Sequence, residues 1–157
     1  MNSRVARIFK DPVAFIASCF GLGLLPWAPG TWGSLAGGVF YIGLSYLHLP
    51  VYATVTLGVI ILSIITCDIT SKKWGEKDPP ELVSDEVAGM LVTMIGISFT
   101  WLNLLIGFAL FRLFDIWKPW PISYCDEHVH GGVGIVLDDV VAGIVSCVLL
   151  HLLLRTF

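Results

Sequence analysis

Charge is scarce in this chain. Lys, Arg, Asp and Glu make up 13% of its 157 residues, about half the roughly 25% of a soluble domain. No residue from Pro12 to Cys67 carries a formal charge. Hydrophobic residues supply 56% of the chain and mean hydropathy is +0.85, which excludes an ordinary soluble domain and points to a membrane protein. Dense basic patches are also missing, and the net charge is −3, so nucleic acid is not an expected partner. The four cysteines, Cys19, Cys67, Cys125 and Cys147, form no CxxC pair, which argues against zinc. Three of them sit in apolar runs as small hydrophobes. The Walker A spacing is absent, so nucleotide binding is not implied. Arg4, Arg7 and Lys10 precede the first apolar run, but Pro26, Trp27 and Pro29 come after it where a small-residue cleavage site would stand. The N-terminus is therefore expected to be retained and cytoplasmic. No internal repeat or low-complexity segment is present.

The length suits one domain, residues 1–157. A membrane span needs about 20 apolar residues, so the uncharged run must fold as several pieces, with Gly and Pro at the breaks. Pro12–Leu24 is short enough to be interfacial or re-entrant. Pro26–Ser34 cannot continue a helix, and Thr31 or Ser34 is expected to cap the next one, about Ser34–Leu47. A second helix, about Val51–Thr70, returns as an antiparallel hairpin. Ser71–Ser84 is hydrophilic, and its Lys72, Lys73 and Lys77 put it on the cytoplasmic side. Ser84 is the expected cap of a helix with Asp85 and Glu86 in its first turn, where the helix dipole favours acids. Gly96, Ser98, Thr100 and Asn103 divide the uncharged run Val87–Phe111, giving two helices, about Asp85–Ile95 and Leu102–Trp117. The last helix, about Leu137–Leu154, is expected to start at Asp138-Asp139. The outcome is an all-α integral membrane protein of about five or six helices, with its polar residues at the cytoplasmic interface.

Against this background, Phe111–Asp139 holds five of the chain's twelve acidic residues, with Arg112, Lys118, His128 and His130. Polar chemistry set between apolar segments is costly and marks function. Asp85-Glu86 and Asp138-Asp139 each bring two like charges together. At about 5 Å such charges repel by roughly 3 kcal/mol at an effective dielectric of 20, a cost that a divalent cation removes. Magnesium takes carboxylate, phosphate and water oxygens, although these pairs alone do not choose it over manganese. Arg112, Asp115 and Lys118 stand at i, i+3 and i+6, so Arg112 shares a helix face with Asp115 and Asp115 with Lys118. An Arg fork grips phosphate oxygens and a Lys adds a point charge. A plain Arg112–Asp115 ion pair anchoring the helix is the alternative. Gly30, Thr31, Gly33 and Ser34 offer amides, hydroxyls and a helix start to an anion, or simply a structural turn. His130, before Gly131-Gly132, could pass a proton to a leaving alkoxide. Together these parts describe phosphoryl chemistry at a membrane surface.

The stretches GLGLLPWAPGTWGSLAG, VSDEVAGM and FRLFDIWKPWPISYCDEHVHGGVGIVLDDVVAGI resemble the phosphatidylglycerophosphatase A family, in the family's order, from Gly21 to Ile144. The motif positions are Gly30, Thr31, Gly33, Ser34, Asp85, Glu86, Arg112, Asp115, Lys118, Pro119, Pro121, Asp126, His130, Gly131, Gly132, Asp138 and Asp139. The resemblance implies hydrolysis of phosphatidylglycerol phosphate to phosphatidylglycerol with Mg²⁺, in the bacterial cytoplasmic membrane. On our reading Asp85, Glu86, Asp138 and Asp139 hold the metal, with Asp115 a further candidate ligand. Arg112 and Lys118 bind phosphate with Gly30, Thr31, Gly33 and Ser34, and His130 is the general acid. Either water or Asp115 is the attacking group. Two alternatives stand beside this: a CDP-alcohol phosphotransferase, whose DGxxAR signature is missing, and a small cation carrier.

Overall fold

The computed structural model describes residues 3–156. They form eight α-helices and one 3₁₀ turn, with no strand among the described residues. The helices are α1 (Ser3–Lys10), α2 (Pro12–Ala17), α3 (Pro29–Leu44), α4 (Leu49–Trp74), α5 (Ser84–Thr93), α6 (Trp101–Trp117), α7 (Ile122–His128) and α8 (Gly131–Thr156). The expected count of five or six omits α1 and α7, and its sixth member, the Pro12–Leu24 piece, is α-helical only over α2, Pro12–Ala17.

Local chemistry explains most boundaries. Asp11 caps α2 by accepting from the Val13 amide at 3.1 Å. Pro29 and Pro50 occupy the first turns of α3 and α4, where a missing N–H costs nothing. Gly75, at φ 69°, closes α4 in the left-handed conformation. Thr100 caps α6 through the Asn103 amide, and Lys118 ends it before Pro119.

Three expectations need correction. α3 begins at Pro29, so Thr31 and Ser34 lie inside its first turns and do not cap it. Val83, not Ser84, holds the cap position of α5, and no side chain caps that helix. α8 starts at Gly131, six residues early, so Asp138 and Asp139 sit two turns into the helix.

α5 is the hub: it packs against α3, α4, α6 and α8 and is buried along nearly its whole length. Close approach to α8 requires glycine. A Cβ on Gly89 would lie 2.5 Å from Phe111 and 2.8 Å from the Asp139 carbonyl. That crossing brings Asp139 beside the first turn of α5. At ten residues, α5 is about 15 Å long and too short to cross a bilayer. It stops among apolar neighbours, and side chains satisfy carbonyls near its end and just beyond. Tyr52 donates to the Leu91 carbonyl at 2.7 Å, Tyr41 to Ile97 at 2.9 Å and Asn103 to Ser98 at 2.9 Å. A helix that ends among apolar neighbours leaves carbonyls that need such partners.

Two helices, Leu49–Trp74 and the α8 stretch Gly131–Arg155, are long and apolar enough to cross a membrane. Most of α4 is not covered by protein, and Leu57, Ile61, Leu62, Ile65 and Ile69 stand exposed along it. Exposed aromatics mark both ends of the bundle, Trp27, Trp117 and Trp120 at one and Tyr46 and Trp101 at the other.

Candidate active site

Five segments meet at one end of the bundle: the starts of α3 and α5, the end of α6, α7, and the third turn of α8. The centre is acidic. Ligand oxygens of Asp85, Glu86 and Asp139 all lie within 4.8 Å of one another. Asp85 and Asp139 are buried and Glu86 half-buried. Asp85 Oδ1 and Glu86 Oε2 are enclosed without a hydrogen-bond partner. Burial raises the Glu86 carboxyl to about 8, helped by the Asp139 charge. Burial likewise raises the Asp85 carboxyl well above the usual range, with the Glu86 charge adding to it. Three hard oxygen donors, two of them with an unpartnered buried atom, fit a divalent cation of the magnesium type, and such a cation would remove the repulsion among them.

The expected four-acid metal set divides in two. Asp138, next in sequence to Asp139, turns instead to Lys118, which donates to its Oδ2 at 2.7 Å and to Asp126 Oδ1 at 3.0 Å. Asp138 and Asp139 project about 100° apart on α8, and here Asp138 turns to Lys118 while Asp139 faces Asp85 and Glu86. The two carboxylates raise the Lys118 pKa above its ordinary value despite the opposing effect of burial, so its ammonium stays charged. Lys118 itself takes φ 44° at the end of α6. Pro119 disfavours helical geometry at the residue before it, and the left-handed turn aims the side chain back over the site.

Arg112 is half-buried, pairs with Asp115 and donates to Ser34 Oγ at 3.3 Å. Its Nε is buried with no partner. The Asp115 carboxyl also reaches Asp139. The expected anion loop has a different geometry. Ser34 Oγ donates to the Gly30 carbonyl at 2.8 Å, and the Thr31 amide to Ala28 at 2.9 Å. A Cβ on Gly30 would sit 2.3 Å from Glu86 Oε1 and 3.1 Å from Arg112 Nη1. Gly33 is similarly tight against Val83 and the Glu86 side chain. Here the glycines let α3 touch the acidic centre.

His130 is exposed, with Nδ1 3.1 Å from the His128 carbonyl. It lines a small cleft with Lys77, Asp78, Asp126 and Asp138, adjoining Lys118 and not the three-acid centre. Two contributors escaped sequence reading. Asp78 stands in this cleft, its pKa raised by desolvation and by the Asp138 charge. Asp68, near the end of a mostly apolar helix, accepts from the Gly132 amide at 2.9 Å and so caps α8 from outside. Its isolation at the end of the uncharged run was the available signal.

Residues 15–154 match the family profile described as phosphatidylglycerophosphatase A. The chain is 39% identical to the phosphatidylglycerophosphatase A of Escherichia coli K12 over 143 residues, 90% of this chain and 83% of that protein. It is 41% identical to the one from Haemophilus influenzae over 140 residues, 88% and 86% of the two chains. A relative from Bacteroides thetaiotaomicron, provisionally described as a phosphatidylinositol-3-phosphatase, is 36% identical over 145 residues, 86% of this chain and 89% of that protein. No solved structure matches. The extent of these matches excludes the phosphotransferase and carrier readings: the chain belongs to the phosphatidylglycerophosphatase A family of phosphatases.

Proposed function

We propose that this protein is a Mg²⁺-dependent lipid phosphatase of the bacterial cytoplasmic membrane. It hydrolyses phosphatidylglycerol phosphate to phosphatidylglycerol and inorganic phosphate. The observation that carries the reading is the convergence of Asp85, Glu86 and Asp139 beside Arg112 and Lys118 at one end of an apolar bundle.

Asp85, Glu86 and Asp139 hold Mg²⁺. Bound there, the cation supplies Lewis-acid stabilisation of charge on phosphoryl oxygens. Arg112 aims its fork at the phosphate, with Asp115 and Ser34 fixing its orientation. Lys118, steadied by Asp126 and Asp138, adds a second positive charge. Phosphoryl transfer depends mainly on such positioning and charge stabilisation. Water adds across the phosphorus–oxygen bond, directly or after attack by Asp115, and the glycerol oxygen leaves with a proton. His130 stands at the rim, its Nδ1 donating to the His128 carbonyl, so it gives that proton from Nε2 only when the ring is doubly protonated. The substrate enters from the surrounding lipid, multiple helices cross the membrane, and the site faces the cytoplasm. Lys72, Lys73 and Lys77 near the site end support that orientation.

The Bacteroides relative points to a second lipid phosphomonoester, and the same charges would serve it. Phosphate release by the purified protein is the test, with phosphatidylglycerol phosphate, phosphatidylinositol 3-phosphate and phosphatidic acid compared at equal surface concentration. The first should be preferred at least about tenfold, one decade in kcat/KM. Preference for either of the others would overturn the substrate assignment.

A further inference from the structure

Beside the polar site lies an apolar cavity that the phosphate chemistry does not use. Its volume is about 280 Å³. Phe20, Phe40, Val59 and Leu62 form its walls, and Ser84 and Val87 close the inner end. Phe20, Phe40 and Leu62 are exposed at its mouth, and Leu62 belongs to the bare apolar face of α4. The inner end abuts the acids, because Ser84 and Val87 flank Asp85 and Glu86 on a single helical turn. Cys19, also in the lining, is close enough for the Asp85 and Glu86 charges to act on its thiol.

Hydroxyls in this lining are already committed. Ser63 donates to the Ser84 carbonyl at 2.9 Å, and Thr66 donates to Leu62 at 2.8 Å. The cavity therefore offers an occupant apolar contact only. Water in such a space lacks polar partners, and an apolar chain gains by leaving it. An occupant must be apolar along its length and end at a cluster that handles phosphate. We propose that this cavity holds one acyl chain of the phospholipid whose phosphate the site removes, an inference that rests on the phosphatase reading above. A second groove, of about 510 Å³, adjoins it across Ala36 and Phe40 on the outer face of α3.

Val59→Trp and Leu62→Trp fill the cavity. Leu57→Trp, on the exposed face of α4 outside the lining, is the control. Each is assayed with phosphatidylglycerol phosphate carrying two oleoyl or two hexanoyl chains. Lost burial of a long chain should lower oleoyl kcat/KM at least about tenfold in both filling variants. Hexanoyl kcat/KM, and both substrates with Leu57→Trp, should stay within about twofold, since little buried chain area changes. Unchanged oleoyl kinetics, or equal losses on both substrates, would overturn the inference. A turnover-independent readout uses phosphatidylglycerol with a diazirine near one chain end. It should label the α4 peptide containing Val59 and Leu62, lose that label in Val59→Trp, and be competed by unlabelled substrate. No labelling, or labelling that substrate does not compete, contradicts the assignment. Failure of the phosphatase reading would look different: a parent protein that is labelled but releases no phosphate.

Discussion

Arg112 is the residue at which structure and catalysis are hardest to separate. Its pairing with Asp115 would anchor a helix equally well. Arg112→Lys keeps the charge and loses the planar fork. Hydrogen bonds to charged groups contribute roughly 1.5–3 kcal/mol each, so losing one or two should cut turnover about tenfold to more than a hundredfold. Circular dichroism and melting should stay close to the parent, and parent-like kinetics would return Arg112 to a structural role. Glu86 makes a second prediction through its proton. Burial raises its carboxyl from 4.5 to about 8. In that window the folded, metal-free protein keeps a proton that the unfolded chain has released. Stability is therefore full below the lower value and declines as pH rises through the upper one. In EDTA, Tm should fall from about pH 5 to about pH 8. Mg²⁺, which needs the ionised carboxylate, should raise Tm most at the alkaline end. A Tm that rises with pH in EDTA would contradict the raised pKa.

Helix packing places these residues, and glycines set its distances. Gly30→Ala would drive a methyl into Glu86 and Arg112. Turnover should drop at least about tenfold with the helices intact, the effect of a small displacement at a positioned site. Gly58, on the exposed face of α4, meets nothing within 4 Å. Gly58→Ala should leave turnover unchanged and stabilise the helix by up to about 1 kcal/mol. Thermal melts and phosphate release on the two variants check both halves. The same contacts explain why the start of α8 was not legible in the sequence. A cluster of Gly131, Gly132 and Gly134 reads as loop, yet α8 begins there. A Cβ on Gly132 would collide with Ile64 and Asp68, and the cap comes from Asp68, 64 residues away. No local pattern carries that information. By contrast, the division into α5 and α6 and the stop at Lys118-Pro119 were legible, because each is written in adjacent residues; the hydrophilic break after α4 was legible too, although Ser71–Trp74 still belong to that helix.

At the scale of the molecule, the all-helical class and the grouping of polar clusters at one end came from composition and helix order. The partition of the acids did not, since Asp138 and Asp139 diverge only once α8 is continuous through them. Topology is open to a direct test. In the proposed orientation, Lys72, Lys73 and Lys77 put the α4–α5 loop in the cytoplasm. Glu76→Cys, in a background without the native cysteines, should resist a membrane-impermeant thiol reagent in intact cells and react after permeabilisation. Labelling of intact cells would invert the orientation and expose the site to the outside. Everything proposed for the site rests on metal-dependent phosphatase chemistry at Asp85, Glu86 and Asp139. The decisive measurement is phosphate release from phosphatidylglycerol phosphate, recorded across a Mg²⁺ titration of EDTA-stripped parent and Asp139→Asn protein. The stripped parent should release no phosphate and recover on adding Mg²⁺, and Asp139→Asn should show a steep loss that excess Mg²⁺ partly restores. Release by the stripped parent, or near-normal turnover of Asp139→Asn in metal-depleted buffer, would contradict this assignment.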